Sequence, residues 1–175
     1  MGNTSDAAAE LDRKRSTEDI GSQAKVYAAR MRLQKAVDQA DALDAIREIA
    51  ANLIGTEEIA VFKLDQRRSE LWLYWSFGVD PNRHSVLDLG REPKLKHVLS
   101  SGKPLFRLRL SNEKLLSTED PVSALVPVFV DGRPSAVIVL FRLFPHKLGI
   151  EAVDREICEV LSHCAGRAIE PYHSR

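Results

Sequence analysis

The chain has 175 residues, 44% of them hydrophobic and 29% charged, with 25 Lys plus Arg balanced by 25 Asp plus Glu. That is ordinary globular composition, enough for one domain and an added helix and too short for two full domains. A formal net charge of zero gives no overall attraction to nucleic acid or to an anionic membrane, so neither is expected as a partner.

The longest apolar run, Ala124 to Val130, is broken by Pro127 and falls far short of the roughly 18 apolar residues of a membrane span. Met1 to Ser22 is polar and lacks the apolar core of a secretion signal. Asp6 stands where a myristoylation signal wants Ser or Thr. A cytoplasmic location is expected. Cys158 and Cys164 lie about 240° apart around a helix axis, so they cannot pair with each other.

Residues 1–21 are small, polar and charged and end at Gly21; they are predicted to be a flexible segment. Ser22 is a candidate cap for a helix over residues 22–40. From there Val26, Ala29, Leu33, Ala36, Val37 and Ala40, and Leu43 just beyond, recur at three- and four-residue spacing. This short stripe fits two uses. Val26, Ala29, Leu33, Val37 and Ala40 can form a homodimer interface, or the stripe can pack against another helix of its own domain. Asp41 is a candidate cap for a second helical stretch, with Leu43, Ile46, Ile49, Ala50 and Leu53 on a broad apolar face and Gly55 at its C-cap.

After Gly55 the period changes to two. Ile59–Leu64 is predicted as a first strand, Asp65–Ser69 as a turn and Glu70–Phe77 as a second strand. Alternation places Leu71, Leu73, Trp75 and Phe77 on one face of it, with Trp72 and Tyr74 on the other. Pro93 opens a short helix, Lys94–Ser101, which Gly102 closes. Lys103–Leu108 is predicted as a third strand and Leu110–Asp120 as a polar loop. Ser123–Val130 and Ser135–Arg142 form a hairpin through the Asp131-Gly132 turn signal. Glu151–Glu170 is an amphipathic helix stopped by Pro171. The order implies an α+β layer fold: five to six strands in a mostly antiparallel sheet, flanked by long N- and C-terminal helices.

Four stretches resemble the GAF family. They are Asp41–Ile46 through Ile59–Phe62, Pro93–Leu105, Ala124–Pro134 with Val137–Leu140, and Asp154–Glu170. They match its first helix and strand, internal helix and strand, central hairpin and closing helix. The resemblance implies a GAF-like (PAS/profilin-like) domain over residues 41–171, followed by a tail, 172–175. Ala136 and Lys96 stand where the family commonly has Gly.

What the resemblance implies is a non-catalytic regulatory domain that senses a small molecule, or relays a signal through a helix-mediated dimer. The alternative is a protein-interaction or scaffold module with the same fold and no ligand. The chain has neither an Asn-Lys nor an Asp-Glu dipeptide, so it lacks the motif that accompanies cyclic-nucleotide binding in the phosphodiesterase branch. Residues 78–108 hold no Cys for covalent bilin attachment. Methionine sulfoxide reductases of this type use cysteines around the pocket, whereas both cysteines here fall on the final helix, where packing explains them. No cofactor is identified. His97, on the internal helix, is the one candidate axial ligand for haem, and His163 with Glu159 is too small a set for a metal. No Gly-x-Ser-x-Gly, Walker loop or His-Glu-x-x-His is present, so no catalytic set emerges.

Arg91, Lys94, Lys96, Arg107 and Arg109 form the most suggestive polar cluster. They can receive a carboxylate or phosphate, or form a solvated basic face balanced by Asp88, Glu92 and Glu113. Trp75, Arg91, Lys94, His97 and Arg107 are the candidate ligand-binding residues.

Overall fold

The computed structural model describes residues 3–170. Helix α1 (Asn3–Gln34) leads to α2 (Gln39–Ile49), which continues as a π-helical turn, Ala50–Ile54. Then come β1 (Ile59–Asp65), β2 (Glu70–Phe77), β3 (Val86–Asp88), α3 (Pro93–Ser101), β4 (Leu105–Phe106), β5 (Ala124–Val130) and β6 (Arg133–Leu140). Helix α4 (Ala152–Cys164) ends in a 3-10 turn, Ala165–Ala168. The strands form one six-stranded sheet in the order β3-β2-β1-β6-β5-β4, and every neighbouring pair is antiparallel. This is the α+β architecture that the period changes imply.

One sheet face carries α1, α2 and α4. Ile59, Val61, Val126, Val128, Ile138 and Leu140 meet Ile46, Ile49, Ile157 and Leu161 there. The other face carries α3 and the loop before β5, with Phe62, Leu71, Val137 and Phe141 against Leu95, Val98, Leu115 and Leu116. Both faces are covered, which is why β1, β5 and β6 read as near-continuous apolar runs. Asp131 (φ 49°) and Gly132 (φ 74°) make the tight hairpin turn expected between β5 and β6.

The first helix departs from expectation. It begins at Asn3, not near Ser22, so the segment expected to be flexible is helical from that residue on. It ends at Gln34, short of Ala40. Asp38, not Asp41, caps α2: its backbone is extended and its carboxylate accepts the Asp41 N–H at 2.8 Å. The Asp41 carboxylate instead accepts the Val37 N–H at 3.0 Å. Met1, Gly2 and the predicted tail 172–175 lie outside the described residues.

Ala29, Leu33 and Ala36 are buried in the chain's own helical layer, and Val26 and Leu43 pack against it. The 26–43 stripe therefore follows the second of its two readings for most of its length. Leu33 is 2% exposed, while Val37, in the break between helices, is 70% exposed. Ala40 is exposed at the start of α2.

Three further differences have local causes. A bulge in β2 pairs Val61 with Trp75 but Phe62 with Leu73, leaving Tyr74 as the extra residue. Leu71 and Leu73 thus face α3, while Tyr74 and Trp75 both pack on the helical layer, so Trp75 does not share a face with Leu71. The third strand shrinks to Leu105–Phe106, since Pro104 has no N–H for the ladder; Arg107 adds one bond to the Ser123 carbonyl at 2.9 Å. The last helix tightens at Gly166, where a Cβ would lie 2.8 Å from the Phe129 carbonyl oxygen.

Candidate functional site

The α3 side of the sheet carries the internal helix on which the candidate ligand residues Lys94 and His97 lie. Phe62, Phe141, Leu95, Leu115, Leu116 and Val122 fill that side with buried side chains. Polar contacts pin the 109–122 loop over this core. His84 is 3% exposed, its Nε2 lies 2.6 Å from Asp120 Oδ2, and its ring packs 5.0 Å from the Phe141 ring. Arg83 holds the other Asp120 oxygen at 3.1 Å. Buried Glu92 accepts the Ser117 N–H at 3.1 Å and the Ser117 hydroxyl.

The five candidate ligand residues do not converge. Trp75 packs on the helical layer because of the bulge. Lys94 is paired with Glu113 at 2.7 Å and donates to the Lys114 carbonyl, so its charge is committed. Arg91 is exposed, with Asp88 3.7 Å away. His97 and Lys96 lie on the outer surface of α3. Only Arg107 lines a cleft that also holds other cations.

That cleft lies beyond the ends of β4, β5 and β6. Arg107, Arg109, Arg142 and Lys147 line it with Pro121, Ser123 and several Leu and Ile side chains, around about 240 Å³. Three connections converge there: the segment after β4, the residues after β6, and the 147–150 loop leading to α4. Lys147 is the fixed wall. Its Nζ lies 2.7 Å from the fully buried Asp154 Oδ2 and donates to the Ile54 carbonyl. Asp154 also accepts the Glu151 N–H at 2.8 Å, which closes a capping box on α4. Sequence reading found Arg107 and Arg109 but missed Arg142 and Lys147. The one local signal for Arg142 is its place directly after the apolar run of β6 and Phe141, and Lys147 has no such signal.

A second ionic group ties α1 to the body. Arg32 of α1 reaches Glu48 at 2.7 Å and Asp41 at 2.8 Å, both on α2. Hydrogen bonds from this guanidinium hold both carboxyls below their ordinary range and raise the arginine's own pKa.

Both cysteines are free thiols. Cys158 is buried in the helical layer, and burial pushes its thiol well above the ordinary range. Among the described residues, no group of three His, Cys, Asp or Glu side chains is placed to hold a metal, and no helix is long and apolar enough to cross a membrane.

Several solved structures share this architecture. The GAF domain/HD domain protein of Geobacter sulfurreducens is 22% identical over 78% of this chain and 95% of that one, with a TM-score of 0.58. The GAF domain of a phosphoenolpyruvate-protein phosphotransferase from Coxiella burnetii is 15% identical, with coverages of 85% and 92% and a TM-score of 0.63. The free methionine-R-sulfoxide reductase of Neisseria meningitidis, solved with its substrate, is 15% identical, with coverages of 84% and 87% and a TM-score of 0.57. The chain has the GAF-domain fold. At these identities the likeness defines a fold and leaves activity open. No protein-family model matches the chain, and no curated protein matches it.

Proposed function

We propose that the chain is a non-catalytic regulatory domain that relays a signal through α1 and a helix-mediated homodimer. The observation that carries this reading is the two-faced character of α1. Val26, Ala29 and Leu33 dock one face onto the chain's own core. On the opposite face Ile20, Ala24, Tyr27 and Met31 follow at spacings of four, three and four, the seam pattern of a two-stranded coil. Ile20 is 68% exposed and Tyr27 65% exposed.

Helix α1 has 32 residues and is about 48 Å long. Residues 6–21 are all exposed. A largely polar helix without neighbours gains little from propensity alone, so a second copy packed on the seam supplies the missing contact. A seam of this kind is self-complementary about a two-fold axis. The dimer face expected from sequence thus moves to the other side of the helix. The Arg32 clamp to α2 would carry a shift of the body into that interface.

The absence of chemistry is part of the proposal. It draws on the deep burial of Cys158, which pushes its thiol well above the ordinary range. The filled α3 side favours the second reading, a protein-interaction module that works by contact and encloses no ligand there.

Light scattering on the full chain tests the relay. A mass near twice 19.6 kDa supports it, and a monomer at tens of micromolar contradicts it.

A further inference from the structure

We infer that the cleft at the end of β4, β5 and β6 binds a small organic phosphate, with Arg107, Arg109 and Arg142 receiving the phosphate and Leu143, Leu148 and Ile150 receiving its organic body. The site lies outside the α3-side core and uses nothing from the dimer seam. It rests on the regulatory reading only for its consequence, not for binding.

The first support is charge. The cleft is lined by four cations and no carboxylate, in a chain whose formal net charge is zero. Lys147 is neutralised from behind by Asp154. Among the described residues, the three arginines form no ion pair.

The carboxylates around the cleft are committed elsewhere. Asp120 takes His84 and Arg83, Glu113 takes Lys94, and Glu119 lies 3.6 Å from Lys114. Glu151 is the exception: it is exposed, lines the neighbouring hollow with Arg109, and serves as the N-cap of α4. Arg107, Arg109 and Arg142 are exposed, line one cleft and have no ion-pair partner among the described residues, so their charge is open to an external anion.

The second support is chemistry and size. Guanidinium groups present planar forks of N–H donors that match phosphate oxygens, and several can share one phosphate. The cleft volume of about 240 Å³ equals that of about eight liquid waters at roughly 30 Å³ each, room for a phosphate and a ring-sized body. The leucine and isoleucine side chains give that body an apolar wall.

The third is connection. Lys147 joins the cleft's loop to Asp154 in the first turn of α4 and to the Ile54 carbonyl below α2. Helix α4 is the one on which α1 docks. An anion that moves the 147–150 loop therefore pulls on the two helices that hold α1.

Isothermal titration calorimetry of the full chain with phenyl phosphate, inorganic phosphate and benzoate tests the site. Phenyl phosphate should bind more tightly than either other probe. Arg107→Gln and Arg142→Gln should each weaken it about tenfold or more. Arg133→Gln, on the exposed hairpin, should leave it unchanged. Silence with phenyl phosphate, an equal loss in Arg133→Gln, or stronger binding of benzoate would overturn the proposal. Mass measured on the same sample separates the two readings. A monomer that binds phenyl phosphate removes the dimer relay and keeps the site; a dimer that does not bind removes the site alone.

Discussion

Lys147 Nζ lies 2.7 Å from Asp154 Oδ2, and the aspartate is fully buried at the start of α4. The lysine therefore compensates a carboxylate that water does not reach. Removing one partner of such a pair strands the other charge. Lys147→Met should cost about 3 kcal/mol in urea denaturation. Adding Asp154→Asn, which keeps an acceptor for the Glu151 N–H, should recover at least half of that loss. If the double variant is as unstable as the single one, the pair is not the source of the stability.

The face of α1 that docks on the body can be separated from its surroundings. Leu33→Ala should destabilise the fold by about 2–4 kcal/mol, because the side chain sits in the helical core. Val37→Ala, a few residues further on and largely exposed, should change stability by less than about 0.5 kcal/mol. Equal effects in thermal or urea denaturation would mean that the stripe is not docked as described.

The Arg32 clamp makes stability depend on acid pH. Asp41 and Glu48 are held below their ordinary pKa by the guanidinium. A carboxyl with a depressed folded pKa contributes stability that is present above its unfolded pKa, about 4, and lost as pH falls through the folded one. Wild type should therefore be more stable than Arg32→Gln by a constant margin above about pH 5. The margin should shrink as pH falls below about 4, the ordinary carboxylate pKa. A margin that does not change with acidification would contradict the clamp.

The thiols report on chemistry. Cys158 should not react with a disulfide reagent in the native protein, since burial raises its pKa and blocks access. Cys164, partly exposed, should react first, and Cys158 only after denaturant unfolds α4. Fast labelling of Cys158 under native conditions would reopen a thiol-based activity.

Much of the fold was legible because local signals agreed. The limits of β2 match the apolar run, Pro93 and Gly102 bracket α3, and Asp131-Gly132 sets the β5–β6 turn. What escaped depends on contacts between distant segments. Nothing in the alternation of Leu71 to Phe77 marks Tyr74 as a bulge, and that one residue turns Trp75 away from α3. Capping by Asp38 instead of Asp41 depends on where α1 stops, which its packing on the body decides. Arg107 and Arg109 were readable as cations near a strand, but their meeting with Arg142 follows from the sheet order. The partners that neutralise Lys94 and leave Arg107 unpaired are set by the 109–122 loop, whose polar sequence has no period.

The central claim is that the outer face of α1 carries a dimer, and light scattering on Ile20→Glu/Tyr27→Glu tests it most directly. Both side chains are exposed, so the substitutions should leave the fold intact by circular dichroism. The account predicts a dimer for the wild type and a folded monomer near 19.6 kDa for the variant. A wild-type monomer, or a variant that keeps the dimer mass, would contradict it.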